Sequence, residues 1–240
     1  MTNTNLRGFN LAVQTLLKNP PQFLPHLTVP TFTHLPENLG PHLTTTTAQS
    51  GRKSPTIRAL VLDKDNTLCP PKTTDFPPQI IEKLRALRTS RTSLFNQETA
   101  PDAILIVSNR AGSHPRFEAE AVEIEGRLAE FKIPVFRLPE GTEKKPFCGK
   151  EVISWFRERG VVTRPDEIAV VGDRLGTDVL MAAAMGSWSV WCRDGVYEGV
   201  DPKKGRPDMN ILEKMEMWVE RYLRESKGFK APSPKRWDSQ

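Results

Sequence analysis

Acidic residues are absent from the first 36 positions of this 240-residue chain, and cysteine is scarce throughout. The three cysteines, Cys69, Cys148 and Cys192, are odd in number and form no C-x-x-C pair, which argues against a disulfide framework or a structural zinc site. A reducing or redox-neutral compartment fits. No stretch approaches 18 consecutive apolar residues, so no transmembrane helix is predicted. An excess of positive charge is also missing from the middle of the chain, where residues 61–226 carry 25 Lys/Arg against 27 Asp/Glu. A basic groove for nucleic acid would place its cations there, so no nucleic-acid partner is expected.

The basicity lies at the ends. Residues 1–60 hold five Lys/Arg and one Glu, and residues 227–240 hold four Lys/Arg and one Asp. Such ends suit contact with an anionic surface, and solvated tails suit them equally. A hydrophobic content of 38% and a charged content of 26% fit one folded domain with appendages.

Between residue 57 and about 226, strand-like and helix-like stretches alternate. The strand candidates are IRALVL, AILIV (103–107), VFRL (135–138), EIAVV (167–171) and WSVWC (188–192). Helical patterns fall at about 78–88, 116–131, 146–159, 177–185 and 208–225. Five strands interleaved with helices predict a parallel sheet covered on both faces. The polar stretch TSRTSLFNQETAPD reads as a loop.

Residues 1–56 differ. Leu6, Phe9, Val13, Leu16 and Leu17 fall on one side of a short predicted helix. Five prolines between Pro20 and Pro36 then leave an extended, partly apolar segment. The expected organisation is residues 1–56 as a membrane-associating region, 57–226 as the domain, and 227–240 as a basic tail.

The strand ends carry the chemistry. LVLDKDNTL puts Asp63 and Asp65 at the carboxyl end of a buried strand, the edge where open α/β sheets bind ligands. Two carboxylates that close tolerate each other best around a cation, although Asp and Asn are also common turn residues. The next strand ends in SNRAGS, with Ser108 and Asn109 on a turn that can offer N–H groups to an anion. TEKKPF places Lys144 and Lys145 before a helix, where a cation opposes the helix dipole unless it faces an anion. VVGDRLGTDVL sets Asp173 and Asp178 five residues apart, a spacing that suits either an oxygen-ligand Mg²⁺ site shared with Asp63 or an N-cap and a first-turn acid.

In that order, D-x-D-x-T, Ser, Lys-Pro and G-D-x-x-x-x-D resemble the haloacid dehalogenase-like phosphotransferase superfamily over about residues 57–195. The resemblance implies a Rossmannoid three-layer α/β sandwich with a central parallel sheet. It casts Asp63 as nucleophile, Asp65 as general acid and then base, and Ser108 with Asn109 as phosphate ligands. Lys145 becomes the charge-neutralising lysine, with Lys144 the alternative. Mg²⁺ is the implied cofactor, held by Asp63, the Asp65 backbone carbonyl and Asp173, with Asp178 and Thr67 in support. The spacings leave no room for a sizeable cap domain.

NLRGFN and NPPQFLPHLTVP, followed by those motifs, are similar to the mitochondrial phosphatidylglycerophosphatases of fungi and plants over nearly the whole chain. This implies removal of the terminal phosphate of phosphatidylglycerophosphate in the cardiolipin pathway, by a peripheral protein on the matrix side of the mitochondrial inner membrane. The implied partners are an anionic phospholipid membrane and its lipid substrate; a homo-oligomer is compatible. A phosphatase of soluble phosphomonoesters or phosphoproteins, and a non-catalytic membrane-associated scaffold, are the alternatives. Arg110, Arg174 and Arg193 neighbour the motif loops and are candidates for a second phosphate.

Overall fold

The runs ALVL, ILI and IAVVG are apolar at every position, which only a strand covered on both faces can bury. The computed structural model, which describes residues 4–44, 54–201, 203–234 and 237, places them at the centre of one parallel sheet. Its strands are β1 (Leu27–Val29), β2 (Ala59–Leu62), β3 (Ile104–Ile106), β4 (Ile168–Gly172) and β5 (Trp188–Cys192), in the order β1-β5-β4-β2-β3. Neighbours pair in register as Leu60↔Ala169, Leu60↔Ile104 and Val171↔Val190.

Successive side chains leave the sheet on opposite faces. Leu60, Leu62 and Ile106 join one core with α3 (Pro78–Thr89) and α4 (Glu118–Arg127). Ala59, Val61 and Leu105 join the other with α5 (Gly149–Glu158) and α6 (Leu180–Met185). Each fully buried leucine contributes about 2 kcal/mol of hydrophobic stabilisation. The arrangement is the three-layer α/β sandwich with a central parallel sheet that the sequence predicts, and no cap domain is found among the described residues.

Three features depart from the sequence reading. VFRL is reduced to one parallel bridge, Ile106↔Val135. The fifth strand comes instead from the proline-rich segment: LTV pairs with β5 as the edge strand β1, where prolines on either side cost no ladder bonds. Residue 56 is therefore not a boundary of packing, because Phe32, Leu35 and Leu43, the last in the short helix α2 (Gly40–Thr44), are buried in the same core as β2. The C-terminal segment also folds back, burying Ala231 and Trp237.

Helix α1 (Thr4–Lys18) divides the apolar face expected of it. Leu16 packs inward with Leu11 and Ala12, against Phe23, Leu175 and Val179. Phe9, Val13 and Leu17 remain exposed. The side chain of Leu6 lies outside the described residues. The last helix, α7 (Ile211–Arg221), is capped by Asn210, whose side chain accepts from Glu213 N–H while Glu213 accepts from Asn210 N–H.

Candidate active site

The carboxyl edge of β4, β2 and β3 brings the site together. Asp63 follows β2 and stays in the ladder, its N–H donating to Val171 O at 2.9 Å. Asp173 follows β4, and its carbonyl accepts from Trp191 Nε1 at 2.9 Å. Asp178 arrives on a widened turn, Leu175–Val179, and accepts at Oδ2 from Arg174 N–H at 3.1 Å. Gly172 makes that approach possible: a Cβ there would stand 2.3 Å from the Asp178 carboxyl carbon.

Between these acids lies Lys145. Its Nζ donates to Asp63 Oδ1 and, at 2.7 Å, to Asp178 Oδ1. Asn109 sets the lysine's loop, its Oδ1 accepting from Lys145 N–H at 2.9 Å and its carbonyl from Lys144 Nζ at 2.8 Å. Of the two lysines, Lys145 reaches the carboxylates and Lys144 turns to the Asn109 carbonyl. Ser108 is buried beside Asn109, its hydroxyl accepting from Arg110 N–H at 3.0 Å.

Asp63, Asp173 and Asp178 are all buried, and one ligand oxygen from each lies within 4.8 Å of the others. Two cations reach them, Lys145 and Arg206, the latter through Nη2 at 2.7 Å from Asp173 Oδ2. Three carboxylates thus meet two directly bonded cations in a desolvated place, with the Arg174 charge also acting on Asp173. Burial pushes the Asp63 carboxyl up to about 7, against the pull of Lys145 and with a further push from Asp178 and Asp65. Burial, then the Asp63 charge, also holds Asp173 well above the ordinary carboxylate range, with Arg206 opposing. Burial works against the Lys145 charge, but Asp178 and Asp63 outweigh it and keep the ammonium's pKa above the usual lysine value.

A hard divalent cation fits this donor set, which is all oxygen and carries surplus negative charge. The hydroxyl of Thr67, four residues after Asp63, is buried without a hydrogen-bond partner.

The Asp65 carboxyl takes a different direction. Its Oδ1 accepts from Lys72 N–H at 2.7 Å and lies 2.9 Å from Lys64 Nζ. Asn66, at a left-handed φ of 60°, turns the chain immediately after it. Lys64, fully buried, also donates to Thr73 O at 2.9 Å and Glu120 Oε1 at 2.8 Å. Sequence reading missed both Lys64 and Arg206, since neither motif spacing nor periodicity reports a partner 33 or 56 residues away.

The three arginines considered for a second phosphate already have carboxylate partners: Arg110 with Glu120, Arg174 with Glu213 and Glu216, and Arg193 with Asp194.

A groove of about 420 Å³ leads to Lys145 and Asn109 from between α1 and α7. Phe9, Val13 and Leu16 line one wall, and Leu212, Met215 and Val219 the other. Helices α1 and α7 thus frame the groove.

Residues 6–197 match the family model described as mitochondrial PGP phosphatase. A Saccharomyces cerevisiae protein named "Phosphatidylglycerophosphatase GEP4, mitochondrial" is 38% identical over 200 residues, covering 82% of this chain and 92% of that one. A Schizosaccharomyces pombe protein named "Probable phosphatidylglycerophosphatase, mitochondrial" is 31% identical over 220 residues, covering 90% of each. Among solved structures, D,D-heptose 1,7-bisphosphate phosphatase from B. bronchiseptica, complexed with magnesium and phosphate, is 18% identical. That similarity covers 70% of this chain and 99% of the other, with a TM-score of 0.36. The family match runs from α1 through β5 and so takes in every strand and every carboxylate of the buried cluster. The chain therefore belongs to the mitochondrial PGP phosphatase family, a family of phosphatase enzymes.

Proposed function

We propose that this chain is a Mg²⁺-dependent phosphatase that hydrolyses phosphatidylglycerophosphate to phosphatidylglycerol and phosphate through an aspartyl phosphate, as a step towards cardiolipin. The observation that carries the reading is the buried Asp63/Asp173/Asp178 cluster closed around Lys145. The names of relatives 38% and 31% identical support the substrate.

Asp63 attacks the phosphorus in line, and the bond from phosphorus to the glycerol oxygen breaks. Asp65, held off the cluster by Lys64 and Lys72, gives its proton to the departing alkoxide. It then takes a proton from the water that attacks the aspartyl phosphate, and Asp63 is released with inorganic phosphate. Lys145 Nζ, with the Ser108 hydroxyl and the Asn109 turn, stabilises the equatorial oxygens through donors already in place. Asp63, Asp173 and the Asp65 carbonyl would hold Mg²⁺, supported by Asp178, and the ion supplies positive charge against the repulsion between carboxylate and phosphate dianion.

The mitochondrial names of the relatives support a mitochondrial setting, with this protein peripheral on the matrix face of the inner membrane. No helix among the described residues is long and apolar enough to cross a membrane. A substrate panel tests the reading, with phosphatidylglycerophosphate in vesicles set against nucleotide, sugar and protein phosphomonoesters, each with Mg²⁺ and with EDTA. Mg²⁺-dependent release of phosphate from the lipid at the highest kcat/KM is the expected result. A soluble ester turned over better, or full activity in EDTA, overturns it.

A further inference from the structure

Helix α7 is folded with its polarity reversed. Its acids face the protein: Glu216 accepts from Arg174 Nη2 and from Leu175 N–H, both at 3.1 Å. Glu213 pairs with Arg206 and Arg174, each at 3.2 Å. Met217 and Val219 pack on the core around Leu175 and Leu223, but its other large apolar side chains face out, with Ile211 79% exposed, Trp218 65% and Met215 53%. A helix buries its apolar stripe unless that stripe has another partner.

The reversal is not isolated. Among the described residues, eight of the eleven large exposed apolar side chains belong to α1 or to α7 and the turn that extends it. Phe9, Val13 and Leu17 are on α1; Ile211, Leu212, Met215, Trp218 and Tyr222 are on the other side. Phe9 and Val13 of the one set and Leu212 and Met215 of the other line the same groove, whose lining includes Lys145 and Asn109. Trp218 and Tyr222 stack at 5.6 Å, an amphipathic aromatic pair of the type found where hydrocarbon meets water.

Charge selects the occupant. Helix α1 contains no acid, the acids of α7 are buried, and Lys18 and Lys214 are exposed. The nearest exposed acids along the chain are Asp208, before the cap and paired with Arg206, and Glu225, after Tyr222. A second copy docked symmetrically on this face would set these cations against their own equivalents, whereas an anionic lipid surface complements them.

We propose that α7 and the outer face of α1 together dock on an anionic bilayer, and that the groove between them is the path by which a phosphorylated headgroup reaches Lys145. Apolar rim residues enter the interface while the headgroup descends to the carboxylate edge, so the lipid never leaves its membrane. The inward acids give the reversed helix its hold on the protein, which frees the apolar stripe for lipid. This inference rests on the proposed lipid substrate.

The test uses the full chain and vesicles of phosphatidylcholine with phosphatidylglycerol, against phosphatidylcholine alone. Three substrates separate the outcomes: phosphatidylglycerophosphate in vesicles, its short-chain monomeric form, and p-nitrophenyl phosphate. Ile211→Glu with Trp218→Glu changes two exposed side chains that do not line the groove. The variant is expected to lose co-flotation with anionic vesicles and to turn over vesicle substrate at least about tenfold more slowly, which is the effect of losing about 1.4 kcal/mol of interfacial binding. Its hydrolysis of both soluble substrates stays within about twofold of wild type. A separate reading needs no charge substitution: brominated acyl chains quench tryptophan emission in the wild type and quench it less in Trp218→Phe. Equal loss on all three substrates, no quenching, or a change from oligomer to monomer in the double-Glu variant overturns the docking surface. If the wild type ignores both forms of the lipid yet cleaves p-nitrophenyl phosphate, the lipid reading itself fails.

Discussion

Arg206 and Asp173 form a buried ion pair, Nη2 to Oδ2 at 2.7 Å, and the same guanidinium nitrogen lies 3.2 Å from Glu213 Oε2. One arginine thereby ties a carboxylate of the candidate metal site to the helix that walls the groove. The loop between β5 and α7 is fixed to the site through the same side chain, whose Nε reaches Asp208 Oδ1 at 3.0 Å.

Removing that arginine leaves buried carboxylates without their counter-charge. Arg206→Met should lower stability by about 3–5 kcal/mol, the cost typical of breaking a buried pair from one side. Mg²⁺ should raise the melting temperature of the variant more than that of the wild type, because the ion restores part of the lost charge. Melting curves with and without Mg²⁺ check this; an unchanged melting temperature would show that Arg206 carries no such load.

Asp63→Asn deletes the attacking charge at almost constant volume. Turnover should fall by roughly 10³-fold or more, as for one member of a catalytic unit, while the fold persists. A Mg²⁺-induced thermal shift should remain, since Asp173 and Asp178 stay in place. Activity within about tenfold of wild type, in a folded variant, removes Asp63 from the nucleophile's role.

What could be read without coordinates follows from physical range. Buried runs announced β2 to β5, and the motif order announced which strand ends meet, because both signals are local. Strand β1 was hidden: three residues among prolines carry no alternation, and their pairing with Val190, Trp191 and Cys192 spans most of the chain. Helix α7 was legible as a helix, but periodicity does not say which face turns inward. That choice depended on the partly buried Arg174 and the buried Arg206, whose guanidinium groups pair with its acids. The division of α1 had the same cause, since Leu11, Ala12 and Leu16 found a partner surface around Phe23 and Leu175.

Lys64 sits between the two aspartates of the first motif, at the position that D-x-D leaves unspecified. Fully buried, it holds the Asp65 carboxylate together with Glu120 and the Thr73 carbonyl. Lys64→Met should free Asp65 and reduce kcat by about 10²-fold, the scale expected from a misplaced acid, with KM little changed. Glu120→Gln keeps the lysine and should cost less. A Lys64→Met enzyme with normal kcat would assign the positioning of Asp65 to Lys72 N–H alone.

His26 makes stability depend on pH far from the catalytic edge. Its Nδ1 accepts from Ser189 N–H at 3.1 Å and its Nε2 lies 2.9 Å from Pro232 O, which fixes a neutral ring donating from Nε2. The Trp188 ring meets it edge-on at 4.8 Å, and no carboxylate is among the groups that shift it. Burial is the main cause, with Arg224 adding to it and the Pro232 carbonyl opposing, and the ring's pKa falls from 6.5 to about 4. Between those values the unfolded chain takes up the proton and the folded one does not. Stability from this group is therefore complete above pH 6.5 and declines as the pH falls towards 4. From pH 7.5 to 5.0 the decline amounts to about 2 kcal/mol. His26→Asn keeps an acceptor near Ser189 N–H but cannot be protonated, so it should be less stable at pH 7.5 by about 1 kcal/mol and should lose that slope. Denaturant unfolding of both proteins at the two pH values checks it. Equal slopes in the wild type and in His26→Asn would place the acid sensitivity elsewhere.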